Sequence, residues 1–542
     1  MTAQVEVLDT TLRDGAQGEG ISFSVQDKLE LTRALDELGI ALIEAGNPGS
    51  NPKDLEFFRR ARELPLENAR LCAFGATRKK GLPCGEDPQL KSLLDADTET
   101  VVIFGKSWDL HVTEILRTSL KENLDMIAET VAFLKAEGRR VIYDAEHFFD
   151  GWLGNAEYAL ASVRAAAESG ADTIVLCDTN GGAFPDTVKD GLRAAEETAA
   201  LAAALSPLEG LGGVVGIHAH NDGGLAAANS IAALQSGARH VQGTLLGFGE
   251  RCGNTCLAAL IPSVELKLGM SCLPQGKLRR LSEISRAVAE IANVALPEEM
   301  PYVGSHAFSH KAGMHADGIL KLRRSFEHID PALVGNDRHF LMSEVGGRSA
   351  IAERAKKIDP AVTRDHPVIA ALAARLKELE AAGWAFDGAD GSFELLVRRE
   401  LGRHKPLFEI LAYRVGSEHP TGEAIACSHA WVKVWVDGQD EIAAAEGNGP
   451  VNALDGALRR ALFRFYPELA KVRLEDFKVR VIDGTAATAA KVRVLIQSTD
   501  GQDHWSTVGV SEDIIDASRA ALVDSIEYKL IGDIERKFKV YL

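Results

Sequence analysis

Three observations predict an α/β chain whose first half closes as a (β/α)8 barrel. Eight short runs rich in β-branched and other apolar residues recur before residue 272, each followed by an amphipathic helical stretch. Several runs are apolar on both faces, as strands of a buried parallel sheet must be. The eight units fill about 270 residues, the usual size of such a barrel, whereas an open doubly wound sheet seldom uses so many regular units.

In order, the strand runs are VEVLDTT from Val5, ALIEAG from Ala41, ARLCAFG from Ala69, TVVIFG from Thr100, RVIYDAE from Arg140, DTIVLCD from Asp172, VVGIHAH from Val214 and HVQGTLLG from His240. The first helical stretch, SVQDKLELTRALDELG, opens with Ser24 and Asp27 spaced as a capping box. Past Gly269 the texture changes. A helix is predicted from about Gln275 to Pro297, then a Gly/His-rich stretch (PYVGSHAFSHKAGMHADG), then a helix from Val368 to Gly383. From Thr421 the pattern alternates, with Val432, Val434 and Val436 on one face of HAWVKVWVDG. Two successive passes, each ending in a helix, predict a small duplicated ββα domain of the α+β class. The predicted boundaries are 1–272 for the barrel, 273–420 for helical linker subdomains and 421–542 for the duplicated domain.

At 542 residues the chain is too long for a single core. Its 60 Lys and Arg against 78 Asp and Glu give a formal charge of −18, which repels phosphate backbones and anionic lipid and argues against a nucleic-acid or membrane partner. The N-terminal MTAQVEVLDTTLRDG has neither the basic nor the apolar region of a secretion signal. No run of about 20 apolar residues is present. Seven scattered cysteines read as reduced thiols, and the predicted location is the cytoplasm.

Barrel chemistry belongs at the C-terminal ends of the strands. Those ends carry Arg13-Asp14, Asp144-Ala145-Glu146-His147, Asp178-Thr179-Asn180, His218-Ala219-His220 and, after the last strand, Glu250 to Asn254. His218 and His220 lie two apart on a strand and project to one face. Barrel closure brings strands seven, eight and one together, and with them Asp14 and Asn254. Two imidazoles, a carboxylate and an amide oxygen suit a divalent ion such as Mn²⁺, Mg²⁺ or Zn²⁺. An isolated HxH pair reads as strand-end decoration; its place opposite Asp14 makes it a ligand pair. Arg13 is then a fixed cation for charge developing on a carbonyl oxygen, and Glu146 binds substrate or handles protons. GFGERCG, on the last barrel strand, lacks a correctly placed third glycine for a dinucleotide loop.

The strings LDTTLRDGAQ, HAHND, Gly247 to Asn254 and HADG at His315 together resemble the acyl-CoA-condensing barrel enzymes, a family of 2-isopropylmalate, homocitrate and citramalate synthases. SFSVQDKLELTRALDELGIALIEAGNPGSNPKD and YDAEHFFDGW are most similar to the citramalate branch. The resemblance spans nearly the whole chain and implies condensation of acetyl-CoA with pyruvate, in a route to isoleucine. It implies that Asp14, His218, His220 and Asn254 hold the metal, that Arg13 stabilises the alkoxide, and that Thr179 bonds the keto acid. It further implies that His315, linked to Glu146 and supplied by the partner of a homodimer, acts as base, and that Asp317 supports CoA. Relatives commonly carry Tyr where this chain has Phe326, in Ser325-Phe326-Glu327, which leaves water, His315 or another hydroxyl such as Tyr302 for proton transfer. The last domain resembles the family's amino-acid sensing module, with isoleucine expected near Gly447, Asn448, Gly449 and Pro450. Alternatives are a synthase for a larger 2-oxo acid, a hydroxyacyl-CoA lyase, a zinc hydrolase, whose HxH pair is expected near strand one, and an inactive sensor.

Overall fold

The computed structural model describes residues 3–205, 214–310, 318–319, 321–340, 348–386, 388–418, 427–482 and 490–539. The eight predicted runs form parallel strands β1 (Glu6–Asp9), β2 (Leu42–Gly46), β3 (Arg70–Ala76), β4 (Thr100–Lys106), β5 (Arg140–Glu146), β6 (Thr173–Asp178), β7 (Val214–Ala219) and β8 (His240–Gly243). They pair in sequence order and β8 returns to β1, closing the barrel. Each strand is followed by a helix: α1 (Val25–Leu38), α2 (Pro52–Ala61), α3 (Pro88–Asp95), α4 (Leu120–Ala136), α5 (Phe148–Glu168), α6 (Pro185–Leu205), α7 (Ala226–Ser236) and α8 (Leu257–Ser263). The chain divides into two compact units, Met1–Phe308 with Ile329–Arg338, and Ser309–His328 with His339–Leu542.

Alternation along the strands builds two apolar layers from one sheet. Val7, Ile43, Ala73, Ile103, Tyr143, Ile174, Ile217 and Val241 face the helices. Leu8, Leu42, Cys72, Val102, Ile142 and Val175 fill the barrel's middle. Two residues beyond that middle layer, towards the strands' C-terminal ends, stand Glu44, Phe74, Phe104, Asp144 and Cys177, so the pleat alone delivers two carboxyls and two aromatic rings to one mouth. At the other end Arg140 donates to both oxygens of Glu6 at 2.8 and 2.7 Å, and His240 Nδ1 lies 2.9 Å from Glu6 Oε2. This ionic floor fits because β7 has glycine beside it: a Cβ on Gly216 would lie 2.9 Å from that of His240.

The capping box at Ser24 and Asp27 forms, and α1 ends on Gly39 at φ 93°. The helix predicted from Gln275 to Pro297 is shorter. A 3₁₀ turn, Lys277–Arg280, leads into α9 (Leu281–Ile291), which packs on the barrel core. Gly276 at φ 85° delays its start and Asn293 at φ 56° stops it. Strand β8 ends at Gly243 rather than running on to Gly247, because Thr244 turns to bond Thr255.

In the second unit, β9 (Ser309–His310) and β10 (His339–Phe340) pair in parallel. Helices Arg348–Ile358, Pro367–Ala381 and Asp390–Glu400 enclose a cluster around Phe386 and Phe393. The duplicated domain corrects the expected pattern: each pass is βββα, not ββα. Strands β11 (Glu409–Glu418), β12 (Cys427–Val436) and β13 (Gln439–Gly447) precede the helix Pro450–Phe463; β14 (Arg473–Val481), β15 (Val492–Thr499) and β16 (His504–Ser511) precede the helix Ile514–Lys539. The added strands β11, β13 and β14 are edges, without the fully buried alternating face that makes β12 readable. Since β11 pairs with β12, this sheet starts upstream of the expected boundary at 421. Both helices pack into one core with both sheets, through Leu454, Leu458, Leu522 and Ile526. All seven cysteines carry free thiols, and no helix among the described residues is long and apolar enough to cross a membrane.

Burial alone would raise the Glu6 carboxyl, but bonds from His240 and Arg140 outweigh it and bring it down to about 2. Its contribution to stability is therefore present above the ordinary value of 4.5 and is lost as pH falls towards about 2. Glu6→Gln is expected to lower barrel stability at neutral pH by about 2 kcal/mol in denaturant unfolding. The gap between variant and wild type should close across that acid window.

Candidate metal centre

The turn after β1 is fixed by its own side chains before any site residue appears. Asp9 accepts from the Thr11 amide at 2.8 Å, Thr11 Oγ1 accepts from the Leu245 amide at 2.9 Å, and the Arg13 and Gly15 amides both bond Thr10 O. This delivers Asp14 against β7. Asp14 Oδ2 lies 3.3 Å from His218 Nε2 and 3.8 Å from His220 Nε2, and the two imidazole nitrogens are 3.4 Å apart. Ligands about 2.1 Å from a shared ion stand about 3.0–3.4 Å from one another in octahedral or tetrahedral geometry; the two sides at His218 match that spacing, and the Asp14–His220 side at 3.8 Å is wider.

Asn254 arrives by the loop after β8, bridged antiparallel to His220. Two glycines make room for it. A Cβ on Gly253, at φ 85°, would lie 1.9 Å from Gly247 O, and one on Gly249 would lie 2.2 Å from Asn254 Nδ2. Nδ2 donates to Phe248 O at 3.2 Å, while Oδ1 is buried with no hydrogen-bond partner, an arrangement that calls for a cation. Two imidazoles, a carboxylate and this amide oxygen form a borderline-to-hard donor set that fits a divalent ion.

For Asp14 and His220 the electrostatics agree with that use, while at His218 burial is outweighed by Asp14 and the imidazole is pushed up. Burial would raise Asp14, but Arg13 and then the two imidazoles outweigh it and hold the carboxyl far below the carboxylate range. Burial and the neighbouring His218 push His220 down to about 4, keeping its ring neutral. Arg13 stays charged despite burial because Glu44 and Asp14 flank it. Its Nε donates to Glu44 Oε1 at 2.6 Å, its guanidinium stacks 3.8 Å from the Phe74 ring centre, and Thr10 Oγ1 also donates to Glu44 at 2.6 Å. Burial and the charge of Glu44 push Asp144 up to about 7.

Arg13, Asp14, Glu146, Thr179, His218 and His220 all line one cavity of about 320 Å³. The other expected residues fall differently. Glu146, expected beside His315, is ion-paired with Lys106 on the neighbouring β4. Thr179 Oγ1 accepts from the His147 amide at 2.9 Å. His315 and Asp317 lie outside the described residues. Tyr302, considered as a substitute hydroxyl, bonds Ser263 Oγ at 2.8 Å among the core residues and is not in the cavity lining. Phe326 is 43% exposed, and the neighbouring Glu327 pairs with His310 at 3.1 Å. The Gly447–Pro450 turn joins β13 to the helix Pro450–Phe463, with Asn448 N donating to Asn452 Oδ1 at 3.2 Å.

Sequence reasoning passed over Glu44, Lys106 and Gln242. Glu44 had a signal, as a lone polar residue inside an otherwise apolar strand, and both Glu44 and Gln242 are fully buried.

Residues 4–288 match the HMGL-like family, 302–383 the homocitrate synthase post-HMGL domain-like family, and 387–530 the LeuA allosteric (dimerisation) domain. A closed barrel with a histidine–carboxylate cluster at its mouth, followed by a domain of this allosteric type, defines an HMGL-like barrel enzyme. The (R)-citramalate synthase of Aquifex aeolicus (strain VF5) is 48% identical over 99% of both chains. That of Synechocystis sp. (strain ATCC 27184 / PCC 6803 / Kazusa) is 48% identical over 96% of this chain and 95% of its own. A probable 2-isopropylmalate synthase of Methanopyrus kandleri is 31% identical over 97% of this chain and 98% of its own. The chain belongs to the (R)-citramalate synthase family.

Removing a ligand should weaken the site more than removing a supporting group, whose loss typically costs 10–100-fold. Calorimetric titration with Mn²⁺ is expected to show His218→Ala losing at least about a hundredfold in affinity. Asn254→Ala, which also removes a ligand, should likewise lose at least about a hundredfold.

Proposed function

We propose that the chain condenses acetyl-CoA with pyruvate and water to give (R)-citramalate and CoA, using Mn²⁺ or Mg²⁺ held by Asp14, His218, His220 and Asn254. The observation that carries this reading is the convergence of those ligands beside an arginine already clamped by Glu44. Bound there, the ion would polarise the keto carbonyl and fix the carboxylate of the 2-oxo acid. Arg13, held on one edge by Glu44 and on one face by Phe74, presents its charge where the carbonyl oxygen becomes an alkoxide, and its fixed position spares reorganisation. Thr179, at the rim, bonds the keto acid. The acetyl methyl loses its proton and forms the carbon–carbon bond to the keto carbon; water then cleaves the thioester and releases CoA. Glu146 and His315 are assigned to the proton steps, and Asp317 to the CoA side.

Phe74 and Phe104, their rings stacked 5.3 Å apart, and Asp144 line the same cavity as the ligands, and the keto acid is assigned to this side. Two rings and a carboxyl suit a methyl better than a branched chain, which favours pyruvate over 2-oxoisovalerate. A second cavity of about 260 Å³ shares Arg13, Gln17, Asn47 and Phe74 with the first, and it supplies a route for the long arm of the thioester. A homodimer with feedback by isoleucine at the Gly447–Pro450 turn completes the proposal, resting on the duplicated domain and its match to an allosteric one.

Thiol release from acetyl-CoA with Mn²⁺ over pyruvate, 2-oxobutyrate, 2-oxoisovalerate and 2-oxoglutarate tests the reaction. The expected kcat/KM for pyruvate exceeds the rest by at least about tenfold, the scale on which a methylene or two is read; preference for either of the last two overturns it. Arg13→Lys should lower kcat by about 10²–10³. In the same assay isoleucine should inhibit and leucine should not; activity indifferent to both removes the effector from the proposal.

A further inference from the structure

Gln242 is fully buried on β8, in register with His218 on β7, and its amide spans two partners. Oε1 lies 2.8 Å from His218 Nδ1, and Nε2 donates to Asp144 Oδ1 on β5 at 2.9 Å. We propose that Asp144 and Gln242 form an outer-sphere relay that fixes His218 as the Nδ1–H tautomer, making Gln242 a positioning residue for the metal centre. The inference rests on the reading of Asp14, His218 and His220 as ligands.

The polarity of the chain follows link by link. The Asp144 oxygen accepts, so the amide must turn its NH2 towards β5. Its oxygen is then turned towards β7, and an amide oxygen has no proton to give, so Nδ1 must supply one. The lone pair of His218 is left on Nε2, the atom that lies 3.3 Å from Asp14 Oδ2. The reverse orientation would set an NH2 against Nδ1 and a proton on Nε2, aimed into the ligand triangle, where no metal could be bound. A neutral amide does this without adding charge to an interior that already holds Glu44, Asp144, Asp14 and Arg13. The two imidazoles differ here: Nδ1 of His220 is buried with no partner. The relay acts on one ligand and crosses the barrel to reach a residue of the substrate cavity, so Asp144 touches both the keto acid end and, through Gln242, the metal.

A packing role alone would tolerate an apolar side chain of similar volume, which separates the two explanations. The probe is Mn²⁺, titrated into full-length protein, with free ion read by electron paramagnetic resonance and the melting temperature of metal-free protein recorded alongside. Wild type should bind; if it takes up no Mn²⁺, the metal centre itself falls, and the relay with it. Gln242→Leu should weaken binding by about 10–100-fold with the metal-free melting temperature little changed. Binding within twofold of wild type overturns the relay while leaving the metal centre standing. Asp144→Asn keeps an acceptor oxygen and should bind within about threefold of wild type, whereas Asp144→Leu should fall with Gln242→Leu. Should Gln242→Leu fail to fold, the Asp144 pair decides: an Asn variant that binds and a Leu variant that does not supports the relay, and equal affinities overturn it.

Discussion

β1 hydrogen-bonds to β2 on one side and to β8 on the other, and everything at the mouth depends on that second pairing. Asp14 lies 204 residues before His218, yet closure sets the turn after β1 against the ends of β7 and β8. Registers then fix depth. Glu6 meets His240 and Leu8 meets Gln242 across the seam, while His218 meets Gln242 on the other side of β8. A slip of one residue would turn Gln242 outward among the helices and carry an apolar neighbour inward.

Charge at this mouth is arranged in opposed groups rather than in isolated pairs. Arg13 stands between Glu44 and Asp14, and the two imidazoles share the field of Asp14. Burial works against a carboxylate, and with Glu44 nearby it pushes Asp144 up to about 7. Asp14 is not pushed up, because its surroundings are cationic or can become so. An ion with two positive charges fits the same surroundings by completing them.

Much of this was legible in the amino-acid order. The eight barrel strands could be read because runs such as TIVLCD and VVGIHAH are apolar on both faces, which few other contexts require. The mouth residues could be read because strand ends in a barrel are where chemistry belongs, and Asp14, His218 and His220 do fall together there. The edge strands β11, β13 and β14 could not, since a strand with one partner and no fully buried face, such as EILAYRVGSE, carries no clean alternation. Gln242 was missed for a different reason: in HVQGTLLG one amide between His240 and Thr244 looks incidental until the register shows what lies on either side. Glu146 was visible by position, but its pairing with Lys106 depends on which strands are neighbours.

The Glu6–Arg140–His240 cluster closes the far end of the barrel with charges that are already paired, beneath a plug of Leu8, Ile142 and Val175. The interior is therefore a blind well. Among the described residues the floor offers no second way out, so substrates, water and released protons share the mouth, and traffic at that rim becomes part of the turnover itself.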